Sequence, residues 1–201
     1  MNKEISRLMT YLADVYELSL SIGTSLELEK NCQTFYRSLV QRKNLSFIGV
    51  WHKVENALQL QSSFPNKKVI NELFVIGESG LYFDILSNPE GEIFEIPLNK
   101  YDQFLRFDLG VTYGYYEDDS FILLAQNGAI ERFTKREISQ LNTLFSKFII
   151  SVKASLSHKM LLEEIIRRQG VEDRLFERES YFRFGANSLS EGIIVTDLDD
   201  R

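Results

Sequence analysis

Apolar positions near the start of the chain recur with a helical step. Ile5, Leu8, Leu12, Val15, Ser19 and Ile22 alternate spacings of three and four, and Met9 and Tyr16 widen the stripe. That is the seam of a helix lying along another helix, one from a second subunit included. Gly23 ends it. A second helix is predicted from a cap at Thr24 or Ser25, with Glu27 and Glu29 in its first turn, where acids complement the helix dipole. Its apolar face is Leu28, Cys32, Phe35, Tyr36, Leu39 and Val40, and Arg42 and Lys43 close it. The period then drops from 3.6 to 2. Leu45–Val54 and Ala57–Phe64 read as strands joined by a tight turn at Glu55-Asn56. In the first strand Phe47, Gly49 and Trp51 alternate with Ile48, Val50 and His52, which predicts a central strand covered on both faces.

Residues 65–110 are broken by turn signals at Pro65-Asn66-Lys67-Lys68, Gly77-Glu78-Ser79-Gly80 and Asn88-Pro89-Glu90-Gly91. Apolar runs at 69–76 and 81–86, a strand at Ile93–Ile96 and a short helix at 101–107 make this a loop-rich cover. A second hairpin, 110–116 with Ser120–Gln126, turns at Glu117-Asp118-Asp119. Thr134 and Glu137 then form a capping box ahead of Ile138, Leu141, Phe145, Phe148, Ile149, Val152 and Leu156. Helical spacing continues through Leu161, Leu162, Ile165, Ile166, Leu175 and Phe176, interrupted by Gln169 and Glu172. Unbroken from Thr134 to Arg183, this helix spans roughly 75 Å at ~1.5 Å per residue. Gly170 weakens it by about 1 kcal/mol relative to alanine.

The expected fold is therefore α+β: a mostly antiparallel sheet, the first, second and last helices on one face and loops over the other. The expected assembly is a parallel homodimer. Its contacts are Ile5, Leu8, Leu12, Val15 and Ile22 from the first helix, with Leu161, Leu162, Ile165, Ile166, Leu175 and Phe176 from the last.

Charge narrows the function. The 201 residues carry a net charge of −6 without a basic cluster, which argues against a nucleic-acid partner. No apolar run approaches the ~20 residues that span a bilayer, and no secretory signal opens the chain. The reading is a cytoplasmic protein with no membrane partner. A single cysteine, Cys32, excludes an intrachain disulfide and a multi-thiolate metal site.

The element order and three phrases resemble a GAF domain over about residues 5–155. Ile22-Gly23-Thr24-Ser25-Leu26-Glu27-Leu28-Glu29 is similar to that family's entry to its second helix. Residues 45–51 are similar to its first central strand, and Arg132-Phe133-Thr134-Lys135-Arg136-Glu137 to the opening of its last helix. Tyr181-Phe182-Arg183 and Ser188-Leu189-Ser190-Glu191-Gly192-Ile193-Ile194-Val195-Thr196-Asp197-Leu198-Asp199 resemble the start of a PAS domain. The resulting division is a GAF-like domain at 1–155, a helical linker at 156–183 and a truncated PAS start at 184–201. A lone strand at 193–195 has no sheet to join; the expectation is a disordered or borrowed-cover tail in a polypeptide that continues. The resemblance implies a sensor that binds a small ligand or merely dimerises. It relays a change to downstream PAS and output domains, commonly a histidine kinase or a cyclic-dinucleotide enzyme.

Candidate chemistry is sparse. The layout of the family the chain resembles implies a small-molecule pocket on the sheet face away from the helices, lined by Trp51, Tyr82, Phe83, Phe94, Phe104, Tyr113 and Tyr115. The plainer reading is that these aromatics fill the core. His158 lacks the residues that follow a kinase phosphoacceptor. Asp197, Asp199 and Asp200 read as an acidic turn, since one turn cannot complete a metal site. The Gly77–Gly80 loop lacks the lysine of a phosphate cradle. The Asn-Lys-Phe-Asp-Glu signature of cyclic-nucleotide-binding GAF domains is absent, and no mid-domain cysteine suits a bilin. A thiol enzyme of the methionine sulfoxide reductase type would have to use Cys32, which has no resolving partner and sits on an apolar stripe. No catalytic residue, metal or cofactor is evident, and no enzyme activity is expected of this chain.

Overall fold

The structure, a computed structural model, describes residues 2–55, 57–65, 73–75, 85–96, 111–126 and 132–199. Its helices are α1 (Asn2–Leu20), α2 (Leu28–Lys43) and α3 (Lys135–Asp199). Its strands are β1 (Leu45–Val54), β2 (Ala57–Phe64), β3 (Leu73–Val75), β4 (Ile93–Ile96), β5 (Thr112–Glu117) and β6 (Ser120–Gln126). The strands form one antiparallel sheet in the order β3-β2-β1-β6-β5-β4, which puts β1 in the interior as its two-faced apolar pattern requires. The expected helix at 101–107 lies outside the described residues.

Local chemistry sets the turns. In the β1–β2 hairpin Val54 stands opposite Ala57, and Glu55 takes a left-handed φ of 52°. The β5–β6 turn is one residue shorter than expected. Glu117 stays in the strand opposite Ser120, and Asp118 and Asp119 make a two-residue turn with φ of 52° and 60°. Positive φ at both positions matches the twist of paired strands, and aspartate tolerates it.

Helix ends differ in how they are held. Ser25 does not cap α2: its Oγ accepts from the backbone N–H of Glu27 at 3.1 Å, and Glu27 itself holds the N-cap position without a side-chain bond. The α3 capping box is made as expected. The Glu137 N–H donates to Thr134 Oγ1 at 3.3 Å, and the Thr134 N–H donates to Glu137 Oε2 at 3.0 Å.

The main core lies between the sheet and the helices, within the unit Met1–Leu156. Leu18 of α1 and Cys32, Phe35, Tyr36 and Leu39 of α2 pack there with Ile48, Val50, Ile122 and Leu124 of the sheet and Phe145, Phe148 and Val152 of α3. Phe35 stacks on Phe148 at 4.4 Å and meets Phe145 edge-on at 6.3 Å. Such pairs add about 1 kcal/mol each to the burial itself.

Of the residues expected at the α1 seam, Ile5 and Leu12 face solvent, as Met9, Tyr16 and Leu20 do, and Val15 is half-buried, whereas Ile22 lies beyond the helix and packs against the main core. Leu18 points inward. Arg42 of α2 bonds to both Asp14 and Glu17 of α1.

The residues Ser157–Arg201 make a second unit, helical to Asp199. The helix therefore runs past Arg183, through Gly170, and includes 193–195, where a strand was expected, and 197–199, where an acidic turn was. A helix satisfies its own backbone groups, which an unpaired strand cannot. Every apolar side chain described from Met160 to Phe184 is exposed.

Candidate functional site

Register decides which aromatics share a face. Trp51 lies opposite Phe121, and Phe121 opposite Tyr116; one step along, Val50 lies opposite Ile122, and Ile122 opposite Tyr115. Directly opposed residues point to the same side of a sheet. Trp51 and Phe94 consequently belong to the face away from the helices, with Phe47, Leu58, Ile85, Ile96, Phe121 and Leu123. Tyr113 and Tyr115 belong to the helix-side core, which removes them from the expected pocket lining. Tyr82, Phe83 and Phe104 lie outside the described residues.

Glycines let this second face pack tightly. A Cβ at Gly49 would stand 2.9 Å from atoms of both Phe47 and Trp51, and one at Gly114 2.6 Å from Cζ of Phe94. The rings of Phe94, Phe47 and Trp51 therefore lie over bare backbone. The Trp51 and Phe121 ring centres are 5.9 Å apart. Thr112, opposite Ala125 on this face, is 1% exposed, and its Oγ1 has no hydrogen-bond partner among the described residues. A buried hydroxyl without a partner is a costly feature of an otherwise apolar floor, and a polar atom of a ligand would satisfy it.

The same strands are stitched to α3 by polar contacts. Asn142 Oδ1 accepts from the Ile93 N–H of β4 at 3.0 Å. Ser146 donates to Glu117 at 3.2 Å, and Glu117 also accepts from the Tyr115 hydroxyl at 2.7 Å. Lys153 pairs with Asp118 in the β5–β6 turn. Burial and the carboxylate of Glu117 both push the Tyr115 phenol up. Burial likewise lowers the pKa of His52, against the opposing pull of Asp119, and its Nδ1 lies 3.0 Å from Ser120 Oγ.

One buried polar residue escaped the sequence reading. Asn31 is fully buried on α2; its Oδ1 accepts from the Gly23 N–H at 2.9 Å, and its Nδ2 donates to Ser151 of α3 at 2.6 Å. Its signal was a polar side chain one step after Leu28 on an apolar stripe.

Cys32 is fully buried, and burial pushes its thiol up to about 12 in spite of a hydrogen bond with Tyr36. A thiol so held is protonated at neutral pH, which is the wrong state for a nucleophile. Among the described residues no group of His, Cys, Asp and Glu could hold a metal, and no helix is long and apolar enough to cross a membrane.

The architecture has a counterpart among solved structures. The GAF domain of an Acinetobacter phosphoenolpyruvate-protein phosphotransferase matches with a TM-score of 0.58 and 11% identity, over 74% of this chain and 95% of that one. The fold is a GAF fold. The GAF domain of a two-component sensor histidine kinase from Bacillus halodurans matches at a TM-score of 0.48 and 15% identity, over 61% of this chain and 94% of that one. No family model matches the sequence, and no curated protein does. Within the GAF fold described here, the face carrying Trp51, Phe94 and Thr112 is backed by strands that α3 grips on their other side.

Proposed function

We propose that this chain is the regulatory input part of a cytoplasmic signalling protein and has no catalytic activity of its own. A small ligand or a partner acts on the sheet face around Trp51, Phe94 and Thr112, and α3 conveys the change. The observation that carries this reading is the double composition of α3. Phe145, Phe148 and Val152 are core residues, while Leu161, Leu162, Ile165, Ile166, Leu175 and Phe176 of the same helix are uncovered.

An element anchored in a core at one part and needing cover at another suits transmission. The contacts of Asn142, Ser146 and Lys153 would bias α3 when β4 and the β5–β6 turn shift. The cover we propose is a second copy of this chain, and the output is a downstream PAS domain followed by an enzyme such as a histidine kinase. Native mass spectrometry of freshly purified protein tests the ligand. A bound small molecule that is lost in Thr112→Val and Trp51→Ala, with folding retained, supports the sensor. A ligand-free chain whose sheet face stays dry would support the second reading, a GAF-fold dimerisation scaffold. That alternative has its own support in the rings packed over Gly49 and Gly114.

A further inference from the structure

The way α2 holds α3 changes along the main core. Phe145 and Phe148 of α3 pack on Phe35 of α2, ring against ring. Further along α3 two hydroxyls take that place: Ser151 is half-buried, and Ser155 is 1% exposed. What they meet on α2 is the amide of Asn31, itself fully buried. Its Nδ2 donates to Ser151 Oγ at 2.6 Å and to Ser155 Oγ at 3.4 Å. We infer that this amide and the two hydroxyls are a two-seat latch, which lets the last core turns of α3 shift along the helix axis by about an ångström, the size of helix movement that accompanies switching. The inference rests on the relay reading only for its use, since no ligand or partner enters the geometry.

The amide cannot turn round. Its Oδ1 accepts from the Gly23 N–H at 2.9 Å, so Nδ2 is committed to α3. That anchor is itself constrained: Gly23 has a φ of 72°, and a Cβ there would stand 3.9 Å from Cβ of Ser151. Ser151 and Ser155 are four residues apart, on one helix face and ~6 Å from each other along the axis. An amide NH2 has two donors, one for each hydroxyl. The unequal distances place it in the Ser151 seat, with Ser155 within reach. Exchange of seats brings Ser155 towards Asn31, which carries these turns in the direction of the helix N-terminus. Either seat leaves the amide with one short and one long hydrogen bond, so the two differ little in energy. Interdigitated apolar side chains offer no such second register, because a shift opens voids and clashes together. The Phe35–Phe148 stack, 4.4 Å between ring centres, therefore holds α3, and the serines beyond it let it move.

Urea unfolding and NMR of full-chain variants at one protein concentration test the latch. Ser151→Ala and Ser155→Ala should each lower the folding constant by about threefold or less, because the remaining hydroxyl takes the amide. The double variant should lower it by roughly thirtyfold, more than the product of the two, because a buried donor then has no partner. The backbone amide resonances of Gly23, Phe35 and Phe148 in the unaltered chain should fall between their positions in the two single variants, as a population average of two seats does. A Ser151→Ala variant as impaired as the double one, with Ser155→Ala silent, would show one fixed bond and overturn the latch. Single effects that simply multiply would show two independent bonds, and a silent double variant would show that water serves the amide; each overturns it too. So do resonances of the unaltered chain that coincide with those of Ser155→Ala, since the second seat is then unused. Neither measurement needs a ligand or a second copy, so the latch and the sensor reading fail separately.

Discussion

Single residues on the sheet show where packing has no slack. Gly114 is directly opposite Phe94, and the ring occupies the space a side chain would take. Gly114→Ala should therefore cost about 1–3 kcal/mol, the range for overpacking a filled site. Phe94→Ala in the same chain should recover part of that loss, and urea unfolding of both variants and the double variant measures the coupling. Full additivity would mean that the two groups do not compete for space. His52 makes a prediction of a different kind. Burial holds its pKa below the ordinary 6.5, so the unfolded chain binds a proton first as the pH drops. Stability supplied by the neutral imidazole is thus present above about pH 6.5 and lost as the pH falls towards the folded-state value. His52→Gln should flatten the decline in unfolding free energy between pH 8 and pH 5. An unchanged slope would assign the acid sensitivity to carboxylates.

At the scale of elements, capping and register separate what the sequence disclosed from what it hid. The capping box was legible because Thr134 and Glu137 act within one turn, and no distant contact is needed to complete it. Thr134→Ala should cost about 1 kcal/mol. Part of that should vanish at low pH, because Thr134's N–H and hydroxyl, with Lys43, outweigh burial and hold the Glu137 carboxyl down. Lowered in the fold, that carboxyl stabilises above its unfolded value and ceases to do so once protonated. The faces of β5 were not legible. Tyr113 and Tyr115 alternate with Thr112, Gly114 and Tyr116, both sets contain an aromatic, and only pairing with β6 decides which set meets the helices. The role of Asn31 was hidden for a related reason, since its partner Ser151 is 120 residues away. Asn31→Leu should cost about 1–3 kcal/mol, because the Gly23 N–H and the Ser151 hydroxyl would both lose the partner that this buried side chain supplies. A neutral outcome in thermal unfolding would mean that water replaces the side chain there.

At the scale of the whole molecule, stability and association draw on different residues. The main core ends with Leu156, and the apolar side chains described from Met160 to Phe184 are exposed in a single chain. A chain ending at Lys159 should therefore unfold cooperatively, with Trp51 fluorescence reporting the same transition. Its stability should match that of the dilute full chain to within about 1 kcal/mol, as expected when only exposed groups are removed. Concentration separates the two. Association that requires the folded state raises the midpoint by mass action, so the Tm of the full chain should climb with protein concentration. The shortened chain should show a constant Tm if residues 160–184 carry the pairing. If its Tm climbs as steeply, the exposed stripe of Met9, Leu12, Tyr16 and Leu20 on α1 is the surface that brings two copies together, and the long helix follows rather than leads.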